Sequence, residues 1–349
     1  MKNIYLDISS KHRNNKDLVL ATVTKISGST PQVPGSSALF DSSGLISGTV
    51  GGGYTENKVS AIVKEGLSSG KSGHYNFNLY SDIGDREEAI CGGNISVLVE
   101  VDPVRHMDAF DRIRQAAEKR INGMLITRIE AGKEGEMHIV RSWVDIDDEV
   151  DKLRGLLPVA EQVARGLSEP RLGGYQDITI KEGDKEVLYL LETVMPRPNL
   201  LVAGAGHVGK AVTGIGSWLG FEVTVIDDRI EFANKENLPG ADHIIVDNIE
   251  KGISEFDLKK DTYVVIATRG HSDDAGALRA CINSDAGYIG MIGSKRKVAL
   301  MKKNFIEKGI VNEERWNEIY TPVGLEINSK TVEEIAVSIA AQMIKVKNT

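Results

Sequence analysis

Residues 200–228 read LLVAGAGHVGKAVTGIGSWLGFEVTVIDD, and their order decides the fold of the second half of the chain. The apolar run Leu200, Leu201, Val202, Ala203 feeds directly into Gly204-Ala205-Gly206-His207-Val208-Gly209. A helical pattern follows, then a β-branched run (Val223, Thr224, Val225, Ile226) that ends on Asp227 and Asp228. Strand, glycine turn, helix, strand and acidic end follow one another at the spacing of a dinucleotide-binding βαβ unit. Gly204 permits the tight turn, Gly206 lets backbone approach a pyrophosphate, and Gly209 lets helix and strand pack closely. The helix start offers free N–H groups and a partial positive charge to phosphates. Asp227 falls about 20 positions after the first glycine, where a carboxylate accepts hydrogen bonds from a ribose.

Outward from this stretch, the chain divides in two. Met195-Pro196-Arg197-Pro198 breaks regular structure twice just before the first glycine-turn strand, because proline and the residue before it resist helix and ladder alike. The expected organisation is a mixed α/β domain over 1–193, a linker at 194–198, and a Rossmann-like doubly wound parallel sheet over 199–349. In that second domain, strands expected at 243–246, 262–268 and 286–292 alternate with helices, the pattern of a parallel sheet covered on both faces. Thr331-Val332-Glu333-Glu334 is a capping box and opens the last helix. In the first domain, strands are expected at 18–25, 44–50, 74–79, 95–101, 123–129, 136–142 and 187–193. Helices are expected at 54–67, 107–119 and 150–164.

Composition bounds the function. The 349 residues are 41% hydrophobic and 26% charged, ordinary for a globular protein. A formal charge of −8, from 42 basic and 50 acidic residues, argues against nucleic acid or an anionic membrane as partner. The opening MKNIYLDISSKHRNNKD lacks the apolar core of a signal peptide, and no run approaches membrane-spanning length. Cys91 and Cys281 are the two cysteines, too few for a disulfide framework or a structural zinc site. The expected location is the cytoplasm. Closed two-fold assemblies being the commonest oligomers, a homodimer is expected.

Four further segments carry chemistry. Thr268-Arg269-Gly270-His271-Ser272-Asp273-Asp274 follows an apolar strand, so Arg269 and His271 face the ligand crevice at the strand's carboxyl end. The plainer reading is that Ser272 or Asp273 caps the next helix; the two are compatible. Gly293-Ser294-Lys295-Arg296-Lys297 places cations in a first helical turn, against the macrodipole, an arrangement a bound polyanion explains. A solvated basic end is the alternative. Gly28-Ser29-Thr30-Pro31-Gln32-Val33-Pro34-Gly35 and Gly48-Thr49-Val50-Gly51-Gly52-Gly53 form a hydroxyl-rich loop and a glycine run before a helix, a second nest of N–H groups for an anion. One glycine would serve a tight turn; three favour a close-approaching ligand. Finally, Ala89-Ile90-Cys91-Gly92-Gly93 sets a thiol beside two glycines, reachable by a thiophilic metal or by transferred sulfur. Cys281, sharing a helical face with Ala277 and Leu278, reads as a small buried hydrophobe.

Taken in order, the motifs GSTPQVPG, GTVGGG, CGG, AGAGHVG, VIDDR, TRGHSDD, IGMIGSKRK, PVGLEI and TVEEIAVSI resemble those of the XdhC/CoxI family of xanthine dehydrogenase accessory factors, over nearly the whole chain. The chain departs from the family pattern at Asp273, where other members carry a more apolar residue. The resemblance implies a factor that binds molybdenum cofactor (molybdopterin or its dinucleotide form), protects it and delivers it to a xanthine dehydrogenase-type molybdenum hydroxylase. It also implies sulfuration of the metal, with a cysteine desulfurase as the sulfur source. By position, Cys91 becomes the candidate thiol near the molybdenum, catalytic and metal-ligating; His271, read from its place after the strand and not from the resemblance, is the second catalytic candidate. Gly51, Gly52, Gly53, Gly204, Gly206 and Gly209 become the backbone that approaches phosphate and pterin. His207, Asp227, Asp228, Arg269, Gly293, Ser294, Lys295 and Arg296 complete the expected cofactor-binding set. The alternative is an NAD(P)-dependent oxidoreductase, with Asp227 on the ribose and Arg229 on a 2′-phosphate. For that chemistry His207, His271 and Lys295 are the attractive acid–base groups, and none has an orienting partner legible in the sequence.

Overall fold

The computed structural model describes residues 4–13, 15, 17–79, 93–132, 135–145, 158–168 and 174–348. Contacts divide the chain into two compact units, one ending at Pro196 and the other beginning at Arg197.

In the first unit, β1 (Val19–Gly28), β2 (Ser37–Asp41), β3 (Gly44–Gly48), β4 (Gly73–Asn78) and β5 (Gly93–Val101) form a sheet in the order β3-β2-β1-β5-β4. Every pairing in it is antiparallel. A second sheet, β6 (Gly123–Ala131), β7 (Met137–Asp145), β8 (Tyr175–Glu182) and β9 (Lys185–Val194), has the order β7-β6-β9-β8. Helices α1 (Ile4–Lys11), α2 (Gly53–Ser69), α3 (Met107–Glu118) and α4 (Ala160–Ser168) complete the unit.

Period-two alternation along β1 sorts its side chains between two layers. Val19, Ala21 and Val23 pack with Val59 and Val63 of α2. Leu18 and Leu20 pack on the other side with Phe110 and Ile113 of α3 and Trp143 of β7. The first sheet is therefore buried on both faces.

On β5, Leu98 meets Ile129, Ile139 and Leu190 of the second sheet. Two residues on, Glu100 is fully buried and pairs with Arg141 of β7 at 2.8 Å. Arg141 also donates to the Thr127 hydroxyl at 3.0 Å, and His106 lies 3.2 Å from the other Glu100 oxygen. Burial pushes the Glu100 carboxyl up, but Arg141 and His106 outweigh it and hold it down, at about 2. Elsewhere in the same interior, Tyr5 donates to Glu192 at 2.6 Å, whose carboxyl burial raises.

Three elements here have no counterpart in the sequence reading. α1 is one short amphipathic turn pair, β2 is a brief apolar run, and β8 is an edge strand that alternates mostly between exposed and half-buried positions. Each is decided by what it packs against, not by a long period. Of the helix expected at 150–164, residues 150–157 lie outside the described residues, and the described helix is Ala160–Ser168.

The second unit is a doubly wound sheet. Parallel strands β10 (Asn199–Ala203), β11 (Glu222–Asp227), β12 (His243–Val246), β13 (Thr262–Ile266) and β14 (Tyr288–Met291) take the order β12-β11-β10-β13-β14. α5 (His207–Trp218) joins β10 to β11, α6 (Ile249–Ser254) lies between β12 and β13 and α7 (His271–Cys281) between β13 and β14, while β11 leads to β12 without a helix; α8 (Lys295–Glu307), α9 (Glu313–Asn317) and α10 (Val332–Lys347) follow β14. Alternation again splits the strand residues. Leu201, Ala203, Val264 and Ile266 pack on α7 and α8 through Leu278, Met301 and Phe305. Leu200, Val202, Val223 and Val265 pack on α5 and α10 through Val212, Ile339 and Met343. α10 opens on the capping box that its sequence requires: Thr331 accepts from the Glu334 N–H, and the Glu334 carboxylate accepts from the Thr331 N–H. No helix among the described residues is long and apolar enough to cross a membrane.

The Glu100 pair gives the first unit a defined acid response. A carboxyl held below its unfolded value contributes stability above about pH 4.5 and loses it as the pH falls toward 2, worth about 3 kcal/mol here. In urea titrations, the wild type's stability advantage over Glu100→Gln is expected to shrink across that window. An advantage constant from pH 6 to pH 2 would contradict this account.

Candidate functional site

Strand order reverses between β10 and β13, and ligand crevices in such sheets open at the carboxyl ends of the strands on either side. The glycine turn lies there. Gly204 has φ +109, and a Cβ on it would come 2.5 Å from the Ala267 carbonyl oxygen after β13. Gly209 is tighter still: its Cβ would meet the Gly204 oxygen at 1.8 Å, so α5 is seated directly on the turn. At Gly206, the N-cap, no atom lies within 4 Å of where a Cβ would be, and no side chain caps the helix. Two glycines thus close the turn from inside while the third leaves it open from outside, which is the division of labour a phosphate loop needs. His207 is exposed at the first helical position.

The two acids at the end of β11 behave differently. Asp227 is 1% exposed and its carboxylate is turned to its own turn. Oδ2 accepts from the Ala205 N–H at 2.7 Å, and Oδ1 from the Arg229 N–H at 3.0 Å. The Arg229 guanidinium adds Nε to Oδ1 at 2.9 Å and Nη2 to Oδ2 at 2.8 Å. Burial raises this carboxyl, yet the four donors hold it below its ordinary value. Asp228 is the more open acid and pairs with Arg269 at 3.0 Å.

Around the crevice, Arg269 also reaches Asp273 at 3.4 Å, so its acidic neighbours come from the end of β11 and from the first turn of α7. The capping expected of Ser272 or Asp273 takes another form. Gly270 is the N-cap of α7 without a side-chain bond, and it is Asp274, fully buried, that reaches back to the Thr268 N–H at 3.3 Å and to its hydroxyl. Asp274 also pairs with Lys297. One of the three expected cations is therefore committed inside the protein, while Lys295 and Arg296 are exposed. Ser294 caps α8 by accepting from the Lys297 N–H at 3.3 Å. The His271 side chain lies outside the described residues; its backbone opens α7.

In the first unit, three motifs distant in sequence converge. The last residue of β1, Gly28, pairs with Gly93. A Cβ on Gly93 would lie 2.5 Å from the Ser27 oxygen and 2.8 Å from the Ser29 oxygen, and one on Gly51 would lie 3.0 Å from Pro31. GSTPQVPG, GTVGGG and the end of CGG thus share one rim of the first sheet. Gly52 and Gly53 have φ +64 and +45, with no atom within 4 Å of a Cβ on either, and the N-cap of α2, Gly52, has no side-chain bond. Thr49 receives the Gly51 N–H at 3.2 Å and donates to Glu56 at 2.5 Å, which fixes the loop. Cys91 lies outside the described residues, two positions before Gly93. Cys281 is fully buried in α7 and its thiol is pushed up to about 12 by burial, so it is inert as a nucleophile.

Sequence reasoning did not find Asp274, the full engagement of Asp227, or Tyr175, whose half-buried ring lies 3.2 Å from where a Cβ on Gly35 would be. Only the Asp-x-Arg spacing at 227–229 carried a local signal, since it lets a guanidinium fold back on the carboxylate.

A family model described as the XdhC Rossmann domain matches residues 200–343, and one described as the XdhC and CoxI family matches residues 12–78. The chain belongs to the XdhC family. The uncharacterized protein YqeB of Escherichia coli strain K12 is 34% identical over 153 residues, 44% of this chain and 28% of that protein. The chain thus matches little more than a quarter of that relative. A probable xanthine dehydrogenase subunit of Bacillus subtilis strain 168 is 23% identical over 354 residues, 99% of this chain and 98% of that one. A crystal structure described as a xanthine dehydrogenase from Bacillus halodurans aligns with a TM-score of 0.76 at 22% identity, covering 98% of this chain and 94% of the other. This shows a shared fold.

The two XdhC glycines make a paired test. Gly209→Ala is expected to destabilise the second unit by roughly 3 kcal/mol or more, because a backbone oxygen must move. Gly206→Ala, at an open N-cap, should cost about 1 kcal/mol or less. Equal denaturation midpoints for the two variants would refute the assignment of their roles.

Proposed function

We propose that this XdhC protein is an accessory factor that binds molybdenum cofactor, supports its sulfuration and delivers it to a xanthine dehydrogenase-type molybdenum hydroxylase, with a cysteine desulfurase as the sulfur source. The observation that carries the reading is the convergence of GSTPQVPG, GTVGGG and Gly93 on one rim, in a chain whose full-length relative is described as a probable xanthine dehydrogenase subunit. The cofactor here is cargo, a phosphate-bearing pterin that carries the metal.

The fit rests on the open glycines. At Gly52, Gly53 and Gly206 the backbone is uncovered and the following helix start has no side-chain cap, so N–H groups remain for phosphate oxygens. Lys295 and Arg296 add exposed positive charge near the carboxyl ends of the strands. When bound, the pterin phosphate would supply an anion of the kind that each of these helix starts can hold by itself, and the dithiolene end would carry the molybdenum. Cys91 is assigned the thiol that serves the metal, with His271 the second catalytic candidate.

The competing reading, an NAD(P)-dependent oxidoreductase, draws on the same glycine turn. For NAD it needs a carboxylate free for the ribose and for NADP an arginine free for the 2′-phosphate, whereas Asp227 and Arg229 are bonded to each other and Asp227 also accepts from the Ala205 N–H.

The test is anaerobic purification from a molybdate-fed host, with molybdenum and pterin quantified. Near-stoichiometric molybdopterin is expected in the wild type, with loss of molybdenum and of hydroxylase activation in Cys91→Ser. An empty wild type that oxidises NAD(P)H, with turnover reduced by His271→Ala, would replace this reading with the oxidoreductase.

A further inference from the structure

The carboxylate at the end of the second strand of a doubly wound nucleotide-binding unit is the group that reads a ribose 2′-hydroxyl. It can do so only with acceptor capacity to spare. A carboxylate offers about four acceptor sites on its two oxygens. Asp227 receives four donors: two on Oδ1, from the Arg229 N–H and Nε, and two on Oδ2, from the Ala205 N–H and Arg229 Nη2. Two of these come from a guanidinium fork, the strongest geometry for this pair. The guanidinium is also held from a second side, over the Phe232 ring at 4.2 Å. Asp228, next in sequence, is engaged by Arg269.

We propose that Arg229 is the specificity-determining residue of the glycine-turn site, and that it selects phosphate or pyrophosphate esters over nucleotides read through a ribose diol, NAD(H) among them. This rests on the reading above that the Gly204–Gly209 turn binds phosphate. A ribose hydroxyl reaching Asp227 must first lift the fork away and leave its donors without a partner. A phosphate on the turn asks nothing of Asp227, because its donors are backbone N–H groups and nearby cations. Indeed the Ala205–Asp227 bond steadies the turn for it. Arg229 thereby makes a brace of the position that reads a ribose in dinucleotide-binding units.

The experiment is calorimetric titration of the full-length chain with NADH and, separately, with inorganic pyrophosphate. Wild type, Arg229→Ala and Arg229→Met are compared; methionine keeps an apolar stem over Phe232 while removing the fork. Both variants are expected to bind NADH about tenfold or more tighter than the wild type, with pyrophosphate affinity changed by less than about threefold. Adding Asp227→Asn to either variant should abolish the gain, which places it on the freed carboxylate. Unchanged or weaker NADH binding in both variants, with pyrophosphate still bound, would overturn the role of Arg229 and leave the phosphate site standing. Failure of every protein to bind pyrophosphate would overturn the phosphate site and the selectivity built on it.

Discussion

The second unit depends on one close approach, that of Gly209 to the Gly204 carbonyl, where any side chain would collide at 1.8 Å. That contact seats α5 on the turn after β10. It aims the helix's unpaired N–H groups along the carboxyl ends of the sheet, where the order of strands reverses. Asp227 holds the same turn from the neighbouring strand through the Ala205 N–H. Helix, turn and second strand form one rigid corner, and the loop after β13 is drawn into it by the fit of Gly204 against Ala267.

The corner is surrounded by charge that the fold has largely balanced internally. Lys297 is taken by buried Asp274, Arg269 by Asp228 and Asp273, and Arg229 by Asp227. Among the described residues, Lys295 and Arg296 stay exposed beside these pairs. Through this internal pairing the protein's own arginine occupies the acid, while the helix start at the turn keeps its backbone donors free of any side-chain cap. In the first unit the buried Glu100–Arg141 pair links two sheets across an apolar interior. Such a pair contributes less to net stability than its strength suggests, since both ions lose their hydration. Removing one half of it is what is costly, because the other charge stays buried without its partner.

The glycine turns were legible because backbone freedom is a local property. A run such as Gly51-Gly52-Gly53 announces left-handed backbone wherever it is read, and all three have positive φ. Parallel strands and their helices were legible through apolar runs and alternation. The engagement of Asp227 was not, because its position in the motif is the same whether it faces a ribose or an arginine. The role of Asp274 was equally hidden, since its partners Thr268 and Lys297 come from the loop after β13 and from the first turn of α8. Short elements such as α1 and β2 lack the length for periodicity to speak and form only against a core made by others.

By itself the sequence determined the βαβ corner, the doubly wound second unit and the glycines that must stay bare, since each follows from sterics within a few residues. Tertiary structure alone decided which charges are free. It also brought residues 28–31, 51–53 and 93 to one rim of a sheet. Pairing and convergence are contacts between distant segments, and their free energies depend on burial and on the full set of partners, neither of which a linear order of side chains contains.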